Sequence, residues 1–150
     1  MIQRIQSLFL GLAALFLFFT VFTPVAQLIR EGQSMDVLLS GLIDEETGLF
    51  EQNLWQPTLC FLTAFISIAT IFMFKDRNRQ MRITRINILF SAVLSITTPL
   101  MARLEMLKET DLVIYKFPVV FPAAATILLF LAYRGIKKDD DLVRSADRLR

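Results

Sequence analysis

Four uncharged apolar runs alternate with charged segments along the chain: Ser7–Leu28, Trp55–Phe74, Ile86–Ala102 and Phe117–Tyr133. At about 1.5 Å of helix rise per residue, the first two suffice to cross a hydrocarbon core of about 30 Å, and the last two need help from their flanks. The pattern predicts an all-α, polytopic membrane protein, with four transmembrane helices in an antiparallel bundle and one membrane domain over residues 1–150. Small and polar residues recur within the runs at helical spacing. Cys60, Thr63, Ser67 and Thr70 share one face of the second run, and Asn87, Ser91, Ser95 and Thr98 one face of the third. Ser7, Gly11 and Ala14 give the first run a small-residue face, and Ala123–Thr126 open the fourth. Lipid tails are as apolar as leucine, so helices associate through close packing and interhelical hydrogen bonds. The two stripes are therefore helix-packing faces, and the second and third helices should meet along them. A polar pathway for ions usually carries an ionisable group at mid-depth. None of the four runs contains one.

The segments between the runs add detail. Residues 29–54 are too long for a tight turn. Met35–Leu39 and Gly48–Glu51 flank Asp44-Glu-Glu-Thr-Gly48, which predicts a short hairpin lying on the membrane and burying Leu38, Leu42 and Leu49. Pro24, Pro57, Pro99, Pro118 and Pro122 all fall toward one end of the runs. Kinks there would splay the bundle and open a cavity under the loop, or simply bend packed helices. The tail 134–150 reads as a C-terminal amphipathic helix with Leu142, Val143, Ala146 and Leu149 on one face, capped by Asp139, Asp140 or Asp141. Leu142, Val143, Arg144, Ser145, Asp147, Arg148, Leu149 and Arg150 are its candidate partner-binding residues.

Charge orients the chain. Arg4, then Lys75, Arg77, Arg79, Arg82 and Arg85, then Arg134, Lys137, Lys138, Arg144, Arg148 and Arg150 are twelve of the 16 basic residues, all on one side of the predicted topology. The rule that basic loops stay inside makes both termini cytoplasmic. Segment Lys75–Arg85 is then a connection held at anionic lipid headgroups. Trp55 and Tyr133 are placed as interfacial anchors, and Arg103 and Lys116 reach the outer headgroups by snorkelling.

Composition narrows the chemistry. Histidine is absent, which removes the commonest general base and metal ligand. A single cysteine, Cys60, makes neither an intrachain disulfide nor a redox pair. Asp44, Glu45 and Glu46 are adjacent in sequence and read as a solvated turn rather than a metal site. Neither a metal nor a cofactor is expected, and the reading is of a protein that is not an enzyme. Nucleic acid is a poor partner for a short, mixed-charge tail without stacking aromatics.

The start Met1-Ile-Gln-Arg-Ile-Gln6, the connection Phe74-Lys75-Asp76-Arg77 through Gln80-Met-Arg82, and the ending Lys137-Lys138-Asp139-Asp140 followed by Leu142-Val-Arg-Ser-Ala-Asp-Arg-Leu-Arg150 carry a resemblance. Over essentially its full length the chain resembles a bacterial family of small four-helix integral membrane proteins known as a domain of unknown function. The resemblance implies an inner (cytoplasmic) membrane address and supplies no catalytic residues to carry over. Two functions stay open. One is a scaffold or small subunit of a membrane complex, docking through its tail to a protein partner, to lipid or to a second copy. The other is a small transporter, channel or lipid-binding protein with an outward-facing cavity.

Overall fold

Pro24 sets the first boundary. A proline cannot donate to the helix before it, and it biases Thr23 toward extended backbone. Helix α1 (Ile2–Phe22) accordingly ends just before it, and the chain turns into a strand. The computed structural model describes residues 2–30, 33–44, 50–74, 76–106 and 112–148. Its elements, in chain order, are α1, then β1 (Ala26–Arg30), β2 (Gln33–Leu38), β3 (Gly41–Asp44), β4 (Phe50–Gln52), α2 (Trp55–Phe72), α3 (Arg77–Met106), β5 (Leu112–Tyr115), a 3-10 turn (Phe117–Val120) and α4 (Phe121–Arg148). The chain is mostly helical, and its four helices are long and apolar enough to cross a membrane.

Each helix touches its two neighbours in the ring α1–α2–α3–α4, and α1 lies most extensively against α4. The interior is unusual for its polarity. Gln6, Thr20, Gln56, Thr63, Ser67, Thr70, Gln80, Thr84, Asn87, Ser91 and Thr98 are all buried, beside Leu10, Leu17, Cys60, Leu94 and Leu129. The outside is the reverse. Leu8, Leu15, Phe18, Phe65, Ile68, Leu89, Ile96 and Ile127 are exposed, part of an apolar surface running round all four helices. Soluble monomers rarely expose contiguous apolar surface on this scale.

The region expected as a short hairpin is a five-stranded antiparallel sheet in the order β4-β3-β2-β1-β5. Ala26 pairs with Val37 and Tyr115, and Leu28 with Met35 and Val113. Ala26, Leu28 and Val37 are buried in the core, with Met35 and Val113 packed against it, so one face of the sheet closes that end of the bundle. Residues 26–28, expected at the end of the first span, are thus sheet. Of the three leucines expected inside a hairpin, Leu38 is half-buried, whereas Leu39 is fully covered. The side chain of Leu42 and all of Leu49 lie outside the described residues. Gly41 has φ 136° where β2 turns into β3, a backbone conformation costly for any residue with a Cβ. Lys116 ion-pairs with Asp36 and ties the lead into α4 to β2.

Two helices extend further than the apolar runs. Asp76 stands just before α3, its Oδ1 accepting from the Arg79 N–H at 3.1 Å, an N-cap bond that satisfies a free donor of the first turn. Most of the basic segment is therefore helix, not loop, and α3 is 30 residues long, about 45 Å. Helix α4 runs 28 residues, about 42 Å, without a break. The tail is its continuation, not a separate amphipathic helix, so Asp139–Asp141 cap nothing. Pro122 sits in the first turn of α4, where it removes no needed bond, and only Pro99 lies inside a helix.

Candidate functional site at the charged end of the bundle

The polar stripes are the first candidates, and the structure shows what they touch. Asn87 Nδ2 donates to Ser67 Oγ at 2.7 Å, joining α3 to α2. Ser67 Oγ donates in turn to the Thr63 carbonyl at 3.0 Å. Further along α3 the stripe turns to a different helix. Ser91 Oγ lies 2.8 Å and Ser95 Oγ 3.1 Å from Thr126 Oγ1 on α4. Cys60 donates its thiol to the Leu17 carbonyl of α1 at 3.1 Å. Thr63 and Thr70 return their hydroxyls to the carbonyls of Leu59 and Ile66 at 2.6 Å, bonds within α2 that satisfy a hydroxyl without reaching a neighbour. The second and third helices therefore meet through Ser67–Asn87, but Ser91 and Ser95 serve the α3–α4 contact. Thr98 is 2% exposed, and its hydroxyl has no partner among the described residues. Of the small-residue face expected on α1, Ala14 is buried beside Leu10, Ala13 and Leu17, whereas a Cβ at Gly11 would meet nothing within 4 Å.

A second polar layer, at the charged end, was not visible as a motif. Gln80 is buried and donates from Nε2 to the Thr70 carbonyl at 3.1 Å. That carbonyl also accepts from the Met73 N–H at 3.2 Å, so Gln80 helps close the C-terminus of α2. Gln6 of α1 is 5% exposed and lies against Gly135 of α4. A Cβ at 135 would sit 2.9 Å from Gln6 Cγ, so only glycine permits this approach. Gln6, Gln80, Arg77 and Asp139 line a cavity of about 20 Å³, the size of a single water molecule.

The layer fixes the tail. Arg77 of α3 donates from Nη1 to the Asp139 carbonyl at 3.1 Å, and its Nη2 lies 3.1 Å from Asp139 Oδ2. One turn on, Arg144 pairs with Asp140 at 2.8 Å and donates to Asn78 Oδ1 at 3.0 Å. The tail thus projects from the bundle as a braced rod. Of the candidate partner-binding residues, Leu142, Val143, Arg144 and Ser145 are exposed on it. Ser145 Oγ donates to the Leu142 carbonyl at 2.8 Å. Asp147 and Arg148 belong to α4, but their side chains lie outside the described residues, as do Leu149 and Arg150 entirely.

The charged end is also where the quoted N-terminal, central and C-terminal segments come together, and the comparison with known families covers all three. It matches residues 2–149. The chain belongs to the family described as a domain of unknown function (DUF4293). No curated protein matches the sequence. The family brings the fold no reaction and no ligand, so function rests on the geometry of this end. What that geometry offers is a rigid, charged, partly apolar surface. The hydroxyls and amides behind it are mostly engaged in bonds between and within helices.

Proposed function

We propose that the protein is a non-enzymatic membrane scaffold or small subunit, inserted in a bacterial inner membrane with both termini cytoplasmic, and that it docks a cytoplasmic partner on the outer turns of α4. The observation that carries this reading is the unbroken α4. At about 42 Å it outlasts a hydrocarbon core of about 30 Å, so its last turns stand clear of the membrane. Insertion itself is supported by the exposed apolar belt and by the spacing of charges. Arg85 and Arg103 bracket the apolar part of α3, about 27 Å apart along the helix, close to a core thickness. Docking is supported by the bracing. Arg77 and Arg144 hold the rod in one direction, which lowers the ordering cost of binding to it. Leu142 and Val143 are 50% and 44% exposed on it, an apolar pair of the kind that fills a partner's groove.

The scaffold reading is preferred to a transporter because the stripe hydroxyls, that of Thr98 aside, are taken up in bonds within or between helices. The test is a pull-down from native membranes in mild detergent, with the tag in the outer loop so that the C-terminus stays free. A stoichiometric partner that is lost when residues 142–150 are deleted is the expected result. Unchanged recovery of every partner after the deletion removes the tail's role, and recovery of the protein with lipid alone moves the assignment to lipid binding or transport.

A further inference from the structure

A groove of about 520 Å³ runs along α4 where it leaves the apolar belt, lined by Phe130, Tyr133, Arg134, Lys137, Lys138 and Asp141, with Leu142 at its far end. Its residues follow helical spacing and so form one continuous strip of the helix surface. The order along the axis is chemical. Phe130 and Tyr133 belong to the apolar run, Arg134 is the first charge after it, and Lys137 and Lys138 follow within about 6 Å of rise. Arg85 of α3 adds a fourth cation at the same level, its Cζ 5.7 Å from the Tyr133 ring centroid. The acids of this stretch do not neutralise the cluster. Asp139 is held by Arg77 and Asp140 by Arg144, which leaves Asp141 as the one acid lining the groove. Among the described residues, Arg134, Lys137 and Lys138 form no ion pair of their own. Three unpaired cations beside an aromatic wall at the edge of an apolar belt complement one shape of ligand: an apolar chain ending in a phosphate.

We propose that this groove is a binding site for an anionic glycerophospholipid, the phosphate held by Arg134, Lys137 and Lys138 and the upper acyl chain lying on Phe130 and Tyr133. The site rests on the membrane placement proposed above. It differs from a general attraction of basic loops to anionic headgroups, because it confines the lipid to one strip of one helix. Bound there, the lipid would cover the base of the docking rod and make partner binding sensitive to membrane composition.

The test uses the full-length protein in mixed micelles, with native mass spectrometry counting retained lipid and with phosphatidylglycerol and phosphatidylethanolamine as probes. Wild-type protein retains phosphatidylglycerol in preference. The triple variant Arg134→Gln/Lys137→Gln/Lys138→Gln loses about fivefold in affinity for each charge removed, about 100-fold in all. Lys137→Arg/Lys138→Arg keeps the preference, and Arg79→Gln/Arg82→Gln, at exposed sites in the basic segment of α3 outside the groove, costs much less than the triple variant. Equal retention of the two lipids overturns the site. So does an equal loss in the Arg79/Arg82 variant, which would make the attraction delocalised, or displacement by soluble glycerol phosphate, which would make the ligand a free phosphate compound. A triple variant that binds as wild type overturns it as well. Carbonate extraction of cell membranes reports insertion separately. A protein that stays in the membrane pellet but shows no lipid preference loses this site and keeps the membrane reading, whereas release from the pellet removes both.

Discussion

Arg77 grips Asp139 twice, once at the backbone carbonyl and once at the carboxylate, each at 3.1 Å. The pair joins the first turn of α3 to the part of α4 beyond its apolar run. Both side chains are partly covered, at 26% and 18% exposure, so the bond is screened less than a surface pair. Replacing Arg77 by Gln is expected to cost about 1 kcal/mol in global stability. The larger effect is local: amide hydrogen exchange over residues 139–145 should accelerate while exchange in α1 and α2 stays as it was. Uniform acceleration throughout the bundle would mean that the arginine supports the whole fold and not the rod.

The Ser67–Asn87 bond makes a second prediction. Asn87 is fully buried, and its Oδ1 has no partner among the described residues. Ser67→Ala therefore strands the entire amide and should cost about 1–2 kcal/mol. Asn87→Leu removes the bond together with the buried amide and should cost less. The double variant should be more stable than the sum of the two losses implies, because no buried amide is left to satisfy. Strict additivity in thermal unfolding would show that the two side chains do not interact.

Gly135 tests the tight contact between α1 and α4. Leucine at this position has better helix propensity than glycine but must push Gln6 aside, and overpacking costs about 1–3 kcal/mol. Gly135→Leu should therefore lower the melting temperature, and adding Gln6→Ala should restore much of the loss. Gly11→Leu, with nothing within 4 Å of its Cβ position, should be neutral or slightly stabilising in the same assay.

At the other end, Gly41 holds a φ of 136° in the β2–β3 turn. Gly41→Ala should destabilise this turn by about 1–3 kcal/mol. Limited proteolysis of detergent-solubilised protein should then cut within residues 33–52 sooner than in wild type, while the helices stay resistant. Unchanged cleavage would place the turn's strain elsewhere.

These contacts separate what periodicity reveals from what it hides. The stripe Cys60, Thr63, Ser67 and Thr70 is buried as its spacing implies, because a helix converts i, i+3, i+7 directly into one face. Asn87, Ser91 and Thr98 are buried for the same reason, with Ser95 half-buried. Which helix each residue meets is not local information, and Ser91 proved to face Thr126. The full sheet was hidden because β1 pairs on one side with β2 but on the other with β5, more than 80 residues away. The alternation Ala26-Gln27-Leu28-Ile29-Arg30 after Pro24 was the available signal, but its apolar residues also extend the preceding run. The continuity of α4 was obscured by charge. Arg134, Lys137 and Lys138 end an apolar run without ending a helix, since arginine and lysine are good helix formers and the lone Gly135 costs only about 1 kcal/mol. Gln6 lay at the edge of a run and Arg77 and Gln80 in the basic segment between two runs, where polar residues look solvated, and only the Gly135 approach and the Asp139 contact bring them into one layer.

Docking on α4 and the lipid site, as proposed, both require one orientation in the membrane, and cysteine labelling reads it directly. Cys60 is buried, so Cys60→Ala gives a background in which a single cysteine is placed either at Leu112, 58% exposed on β5, or at the exposed Ser145 on the rod. A membrane-impermeant maleimide should label Leu112→Cys in cells whose inner membrane is intact, and Ser145→Cys only after that membrane is permeabilised. Labelling of Ser145→Cys from outside, or of both positions alike before permeabilisation, would contradict the account.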